Sequence, residues 1–268
     1  MRSGFTKNGK NADQLRRELF ANIQVGHLPE CSTLVNPSCS GTIQTDRFQT
    51  SISVIPEGTI QACVKLHRGV PEAKIGILNF ASYKHPGGGF ISGAMAQEEA
   101  ICYCTNLYPA LVSESGYYEA HKSAGLNNGL YSNSCLLARD ITVLCRDVDD
   151  YLDTRDRFTI DVLTCAAPNL RCLIRQGKKD SPVIAQTIRS RIEYILGVFA
   201  LRTDLDYLVL GAFGCGVFRN DPNVVARSFQ DVLMHECRGV FRNVVFAIPN
   251  SGASATNYRV FSKVLCND

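Results

Sequence analysis

The stretch IGILNF, at Ile75–Phe80, leads without a break into the loop NFASYKHPGGGFISGAMAQEEA, which covers residues 79–100. A short apolar run of this kind is typical of a strand that is buried on both faces of a sheet. Further runs, several of them rich in Val, Ile and Leu, predict strands at residues 140–145, 158–166, 206–212 and 243–249. The sequence therefore predicts a buried sheet with a glycine-containing loop at the end of its first strong strand.

Helices are predicted between these strands, at residues 97–107, 182–201 and 222–237. The last two carry Pro182 and Pro222 in their first turn, behind Ser181 and Asp221 as capping residues. Because strands and helices alternate over most of the second half, we expect an α/β fold. Its central sheet should be largely parallel, with helices on both faces.

The chain of 268 residues is predicted to form one domain, residues 1–268, because it has no repeat and no long linker. Residues 11–20 predict an amphipathic helix that Asn11 caps, with Leu15, Leu19 and Phe20 on its apolar side. We therefore expect a helical extension at about residues 11–25. Between residues 26 and 58, Pro, Ser and Gly interrupt the pattern, which indicates loops and short edge strands.

Composition and charge favour a soluble, intracellular protein. The net charge of +3 comes from intermixed acidic and basic residues, without the basic run of a nucleic-acid tail. The twelve cysteines lie inside apolar runs, as at Cys145, Cys165 and Cys172, which indicates reduced, buried thiols. No apolar segment follows the basic amino end, and no run of about 18 apolar residues would span a membrane. We expect a cytoplasmic monomer, or a nuclear one in a eukaryote, with no membrane or sequence-specific nucleic-acid partner.

The sequence disfavours a metal site, a P-loop and a cysteine nucleophile. The five histidines form no H-E-x-x-H pattern and no Cys-x-x-Cys occurs, so no metal site and no cofactor are expected. No Gly-Lys-Ser or Gly-Lys-Thr follows the glycines, so the chain has no P-loop. Cys215 is the thiol best placed to lie near a ligand, but no base is identified beside it, and a nucleophilic role is disfavoured.

Two glycine loops follow strong strands, where open α/β sheets collect ligands. Gly87, Gly88 and Gly89 expose backbone amides that a phosphate or a sugar can approach closely, although such a run is also common in flexible turns. The second loop, GAFGCGVFRNDP at residues 211–222, combines glycines with Phe213 and Phe218 and precedes a predicted helix start. Glycine amides at a helix start predict an anion site.

The triplet Gln97-Glu98-Glu99 opens the helix that follows the first glycine loop. Acidic residues at a helix start also complement the helix dipole, which contributes roughly 0.3–1 kcal/mol and needs no functional explanation. Beside an anion-binding loop, however, two carboxylates would repel the anion unless they face another part of the ligand. The combination therefore favours a functional pair.

Together these residues resemble the microbial-type poly(ADP-ribose) glycohydrolases, whose signature is three glycines, a spacer of several residues and Gln-Glu-Glu. Here the signature reads Gly87-Gly88-Gly89, then FISGAMA, then Gln97-Glu98-Glu99. NFAS before the loop, CAAPN at residues 165–169 and GAFGCGVFRNDP also resemble the family, so the resemblance spans nearly the whole chain. It implies a macrodomain fold, a three-layer α/β/α body with a mixed sheet and ADP-ribose in a cleft across the strand ends.

The resemblance also implies the roles of individual residues. Glu99 is the expected catalytic acid, Glu98 its partner on the ribose beside the scissile bond, and Asn79 the residue that holds the terminal ribose. The substrate-binding residues implied around them are Gly87, Gly88, Gly89, Gln97, Gly214, Cys215, Gly216, Val217 and Phe218. The two loops are expected to enclose the diphosphate and the ribose, and Phe218 to set the ribose position.

The implied reaction is hydrolysis of the ribose–ribose O-glycosidic bond of poly(ADP-ribose), mainly from chain ends, with ADP-ribose as the product. Such a bond breaks through an oxocarbenium-like state, for which one carboxyl group can donate a proton and then accept one from water. Two alternatives stay open: removal of single ADP-ribose units from a protein or nucleic acid, and binding of ADP-ribose without catalysis. Retention of both Glu98 and Glu99 argues against the binding module.

Overall fold

The computed structural model of the chain describes residues 43–122, 129–147, 150–177, 182–202 and 204–266, and the backbone of residues 24–28. The strands are β1 (Gln24–Leu28), β2 (Ser51–Ile55), β3 (Ile75–Phe80), β4 (Cys135–Val143), β5 (Cys145–Asp147), β6 (Asp150–Tyr151), β7 (Phe158–Cys165), β8 (Tyr207–Leu210) and β9 (Asn243–Ala247). Seven of them form one sheet in the order β1-β4-β7-β3-β8-β9-β2, and β5 pairs with β6. Strands β7, β3, β8, β9 and β2 run parallel, whereas β4 and β1 are antiparallel to their neighbours. The α/β fold with a mixed, largely parallel sheet is confirmed.

The helices cover the two faces of this sheet. They are α1 (Thr59–Gly69), α2 (Gln97–Cys104), α3 (Leu107–Ser113), α4 (Ser115–Lys122), α5 (Leu170–Arg175), α6 (Pro182–Ala200), α7 (Pro222–Met234) and α8 (Ala255–Leu265). One core cluster holds apolar side chains of α6, α7 and α8, and the other holds those of α1, α2, α3 and α4. Leu78 of β3 belongs to the first cluster, and Ile77 to the second. The central strand is therefore buried on both faces, as its apolar run predicts.

The helix predicted at residues 97–107 is too long at its carboxyl end. Helix α2 ends at Cys104 because Thr105 is extended and forms an isolated bridge with Val143. The Thr105 hydroxyl donates to the carbonyl of Ile101 and accepts from the amide of Leu107, which begins α3. Tertiary pairing thus interrupts a helical pattern that continues through the sequence.

The strand predicted at residues 140–145 begins earlier, at Cys135, and ends at Val143. Arg139 and Asp140 divide the run, and its pairing with β7 shifts between Ala138 and Ile141, where Asp140 has a φ of 54°. The sequence pattern did not predict five of the helices, which are α1, α3, α4, α5 and α8. Helices α3 and α4 span only seven and eight residues, so their periodicity is weak.

The predicted helix at residues 11–20 lies outside the described residues. The end of the predicted helical extension, at about residue 25, needs correction because Gln24 and Val25 belong to β1. There they pair with Arg139 and Ala138 of β4, so sheet pairing takes precedence over helix. β1 and β2 form the two edges of the sheet, in agreement with the short edge strands predicted between residues 26 and 58.

The described residues contain no helix that is both long and apolar enough to cross a membrane. Within the same residues, no group of three or more His, Cys, Asp or Glu side chains is arranged to hold a metal ion. The cysteines that the structure describes are free thiols, and Cys145 and Cys165 are buried while Cys172 is partly exposed.

Candidate active site

A cleft of about 380 Å³ crosses the carboxyl ends of the parallel strands. Its walls come from residues at or just beyond the ends of β3, β7, β8 and β9, from α2 and the residues before it, and from the first turns of α1 and α8. Loops that diverge at this edge of a parallel sheet leave room for a ligand, and the volume lies within the range of small-molecule sites. The lining residues include Thr59, Gln61, Phe80, Gln97, Ala167, Gly214, Gly216, Val217, Phe218, Ile248 and Asn257.

Gln97 connects the start of α2 to the end of β3. Its side-chain oxygen accepts from the amide of Phe80 at 2.8 Å, and its nitrogen donates to the carbonyl of Leu78 at 2.8 Å and to the Thr59 hydroxyl at 3.2 Å. Although Gln97 lines the cleft, its polar atoms are thus bonded to protein groups. This arrangement fixes the position of the next two residues, Glu98 and Glu99.

Glu98 is buried, with 3% of its surface exposed, in a network of donors beside β3. Its Oε2 accepts from the amide of Ser82 at 2.6 Å, and its Oε1 receives a long hydrogen bond of 3.5 Å from Asn79 Nδ2. Asn79 is fully buried and also donates to the Thr164 hydroxyl at 3.1 Å, because Asn79 and Thr164 are register partners in β3 and β7. The structure therefore places Asn79 directly behind Glu98.

Glu99 lies under the first glycine loop and is 7% exposed. Its Oε1 accepts from the amide of Gly89 at 2.7 Å, whereas its buried Oε2 has no hydrogen-bond partner among the described residues. A β-carbon added to Gly88 would lie 2.4 Å from Glu99 Oε1 and 3.0 Å from Glu98 Oε2. Both carboxyl groups therefore pack against Gly88, beside the cleft rather than in its wall.

The amides of the first glycine loop are already engaged. Gly87 donates to Glu98, Gly88 to the carbonyl of His85 at 2.9 Å, and Gly89 to Glu99. Gly87 and Gly88 have φ angles of 65° and 58°, a left-handed region that favours glycine. The groups that these glycines hold in the structure are thus the two carboxyl groups, which the sequence pattern alone does not reveal.

Burial raises the pKa of Glu98 to about 8, and the neighbouring charge of Glu99 adds to the rise. The donors at Ser82, Asn79 and Gly87 oppose it without cancelling it. Two acidic groups in one dry site share protons more readily than they ionise together. Glu98 therefore retains a proton near neutral pH.

Because the pKa of Glu98 is raised in the folded protein, we expect folding stability to depend on pH. Because the folded pKa lies above the unfolded value, protonated Glu98 stabilises the fold below about pH 4.5, and this stabilisation is lost as the pH rises through about 8. We expect the melting temperature to fall by several degrees between pH 6 and pH 9, and Glu98→Gln to remove most of that fall. Thermal unfolding of both proteins at a series of pH values measures it. Identical pH dependence in the two proteins would contradict the assignment.

The second glycine loop forms another part of the cleft wall. The backbone amides of Gly214, Gly216, Val217 and Phe218 donate no hydrogen bond to any described residue. They precede the first turn of α7, where the Asp221 side chain accepts from the amide of Asn223 and caps the helix as predicted. Free amides beside a helix start provide donors for an anion.

Cys215 and Phe218 differ in what they offer a ligand. Burial raises the pKa of the Cys215 thiol well above its usual range, which disfavours a thiolate nucleophile. Phe218 is half-buried, lines the cleft and meets the Tyr131 ring edge-on with centroids 6.3 Å apart. Val217 is 62% exposed at the rim. Of the cleft-lining residues Val217 and Phe218, only Phe218 is thus packed so that it can hold a fixed position against a ligand.

Gly214→Ala is expected to weaken ADP-ribose binding at least about tenfold. Gly214 has a φ of 72°, and an added β-carbon would lie 2.3 Å from Asn220 Nδ2 and 2.6 Å from the β-carbon of Ala167, which lines the cleft. Gly177→Ala is the matched control, because Gly177 has a φ of 73° and no neighbouring atom within 4 Å. Calorimetric titration with ADP-ribose measures both variants. Equal affinities of the two variants would show that the loop tolerates the methyl group.

The structure brings most of the predicted site residues together, in two groups. Gln97, Glu98, Glu99 and Asn79 surround the end of β3 with the first glycine loop, and of these only Gln97 lines the cleft. Gly214, Gly216, Val217 and Phe218 of the second loop line the cleft, whereas Cys215 does not. Sequence reasoning missed the cleft residues from α1 and α8, such as Thr59 and Asn257, because those helices are not predicted. Sequence reasoning also missed Tyr131, whose ring packs against Phe218, because no glycine or charge pattern marks it.

The comparisons with known proteins agree with this geometry. The family model for the microbial-type PARG catalytic domain matches residues 5–146. A poly(ADP-ribose) glycohydrolase (PARG) from Deinococcus radiodurans, solved in complex with ADP-ribose, is 30% identical, covers 93% of this chain and 96% of its own, and has a TM-score of 0.80. No curated protein matches the chain.

Two structures of poly(ADP-ribose) glycohydrolase from Thermomonospora curvata are also similar. The one bound to the inhibitor ADP-HPD is 28% identical, covers 97% of this chain and 92% of its own, and has a TM-score of 0.78. The other is 29% identical, with coverages of 98% and 93% and a TM-score of 0.79. Signature, fold and similarity agree over nearly the whole length. The chain therefore belongs to the family of microbial-type poly(ADP-ribose) glycohydrolases.

Proposed function

We propose that the chain hydrolyses the ribose–ribose O-glycosidic bonds of poly(ADP-ribose), mainly from chain ends, and releases ADP-ribose. Membership of the family and similarity to structures that hold ADP-ribose or ADP-HPD support this function. The observation that carries it is the pair Glu98 and Glu99, which is buried beneath Gly88 next to a cleft of ligand size. A module that only binds a diphosphate has no use for two buried carboxyl groups beside it.

The second glycine loop is the binding site that we propose for the diphosphate. Its unengaged amides at Gly214, Gly216, Val217 and Phe218 line or adjoin the cleft, whereas those of the first loop already bind Glu98 and Glu99. The terminal ribose then lies between Phe218 and the carboxyl pair. The adenosine then occupies the part of the cleft that the first turns of α1 and α8 line.

Glu99 is the proposed catalytic acid. The Gly89 amide holds one of its oxygens, and the other is left without a protein partner and can carry the proton. Protonation of the departing 2′-oxygen breaks the bond to the anomeric carbon, and the resulting carboxylate then takes a proton from the attacking water. Because Gly88 covers Glu99, the glycine loop has to shift as the ribose enters.

Glu98 and Asn79 are the proposed supporting residues. Glu98 keeps a proton near neutral pH, so it reduces the charge that accumulates next to Glu99 and can donate to a ribose hydroxyl. Asn79 orients Glu98 from behind through its side-chain amide. Since Glu98 and Glu99 are adjacent in one helix turn, we assign them unequal roles, unlike the paired glycosidase carboxylates that flank the bond.

The proposed function is tested by the products that the purified protein forms. We expect poly(ADP-ribose) to yield free ADP-ribose, while a peptide that carries a single ADP-ribose unit stays intact. Chromatography of both reactions, together with calorimetric titration with ADP-ribose, separates the outcomes. Release from the peptide alone would assign removal of single units instead. Binding without any release would assign a non-catalytic reader.

A further inference from the structure

A cluster of aromatic rings lies beside the carboxyl pair, and the proposed function uses only one of its members, Phe218. Tyr83 stacks on Tyr131 with centroids 3.7 Å apart and planes at 23°, and Tyr131 meets Phe218 edge-on. These three rings, the aromatic ridge, pack with Ala81 and Ala166 in a small core cluster of their own. Tyr83 is partly exposed, so the ridge reaches the surface.

The aromatic ridge is attached to the catalytic end of the site. Tyr83 directly follows Ser82, whose amide donates to Glu98 at 2.6 Å, and it precedes the glycine loop that covers Glu99. The residues that line the cleft include neither the carboxyl pair nor Tyr83, so Tyr83 and the pair lie together outside the cleft wall. A polymer whose terminal unit fills the cleft, with its scissile bond at the carboxyl pair, therefore leaves the site on the side of Tyr83.

Positively charged residues adjoin the aromatic ridge. Because Tyr131 covers one face of the Tyr83 ring, the Lys84 ammonium, 5.0 Å from the ring centroid, lies over the other. Arg171 and Arg219 are exposed and adjoin Phe218 through the backbone: Arg219 follows it in sequence, and the Arg171 amide donates to the Phe218 carbonyl at 3.1 Å. The aromatic ridge thus has the Lys84 ammonium at Tyr83 and two exposed arginines in the chain segments that adjoin Phe218.

Rings flanked by cations are the combination that binds single-stranded nucleotide polymers, because bases stack on the rings and cations attract the phosphates. Poly(ADP-ribose) carries an adenine and a diphosphate in every unit. We infer that Tyr83, Lys84, Arg171 and Arg219 form a second subsite, which binds the ADP-ribose unit on the leaving-group side of the scissile bond. This inference rests on the proposed function and deepens it. In the subsite the adenine takes the place of the Lys84 ammonium over Tyr83, and Lys84 turns to the diphosphate.

The test compares two substrates that differ only beyond the scissile bond. One is an ADP-ribose trimer, and the other is ADP-ribose joined at its anomeric carbon to 4-nitrophenol, which has no second unit. For the double variant Lys84→Ala with Arg171→Ala, we expect the KM for the trimer to rise about tenfold, with kcat nearly unchanged. The KM for the nitrophenyl substrate should change less than about twofold. The double variant Lys84→Arg with Arg171→Lys should restore most of the trimer affinity.

The matched control is Arg155→Ala with Lys263→Ala, which removes two exposed cations that do not adjoin the aromatic ridge and should leave both KM values unchanged. An unchanged KM for the trimer in the Lys84 and Arg171 variant, or an equal rise for both substrates, would overturn the subsite while the proposed function stands. If the wild-type protein hydrolyses neither substrate, the proposed function fails and the subsite fails with it.

Discussion

Glu99→Gln is expected to lower kcat on poly(ADP-ribose) by about 10²–10⁴-fold, the range that a general acid contributes. Glutamine keeps the volume of the side chain and can still accept from the amide of Gly89, so the loop keeps its position. It cannot release a proton to the leaving oxygen. ADP-ribose affinity should change less than about threefold, because the proposed diphosphate and adenosine contacts lie elsewhere in the cleft. Steady-state kinetics and calorimetric titration separate the two quantities.

Glu72→Gln is the matched control for this prediction, because Glu72 is exposed in the turn before β3. It should leave both kcat and affinity unchanged. Loss of ADP-ribose binding in the Glu99 variant, in parallel with its turnover, would mean that Glu99 contributes to binding and not to the proton transfer.

Gly88→Ala is expected to reduce turnover by at least about a hundredfold, because a methyl group there occupies the space of both carboxyl oxygens. The shorter of the two contacts, 2.4 Å to Glu99 Oε1, forces either the glutamate or the loop to move. The φ of 58° adds strain of about 1–3 kcal/mol, which lowers the melting temperature by a few degrees. Kinetics and thermal unfolding of the same preparation distinguish displacement from unfolding.

Gly177→Ala again measures the strain alone, because it places alanine at a φ of 73° with no atom within 4 Å. It should lose a similar amount of stability and keep full turnover. If Gly88→Ala also kept full turnover, the close packing of the glycine loop on Glu98 and Glu99 would have no part in catalysis.

The central sheet was predictable because its parallel strands are covered on both faces. Ile75–Phe80 is apolar at nearly every position, so the run has the same bounds in sequence and structure. Strand β4 was less readable, since it lies near the edge and Arg139 and Asp140 interrupt it. Helix α2 was predicted too long because the bridge between Thr105 and Val143 is a long-range pairing that no local pattern announces.

The sequence pattern predicted which residues lie together around the end of β3, but not the hydrogen bonds that they form. Glycines after a strand predict accessible amides, and the sequence pattern assigned those of Gly87, Gly88 and Gly89 to the ligand. Which acceptors these amides bond to depends on how α2 packs against the loop. In the structure the amides of Gly87, Gly88 and Gly89 donate to Glu98, His85 and Glu99, respectively. The long-range bonds of Gln97 to Leu78 and Thr59 are equally a product of packing.

The central claim is that Glu99 delivers a proton to the leaving oxygen, and the dependence of the rate on the leaving group tests it most directly. The wild type and Glu99→Gln are compared on poly(ADP-ribose), whose leaving group is a ribose hydroxyl, and on nitrophenyl ADP-ribose, whose leaving group departs without a proton. We predict a loss of about 10²–10⁴-fold on the polymer and a far smaller loss on the nitrophenyl substrate. Equal losses on both substrates would contradict the claim.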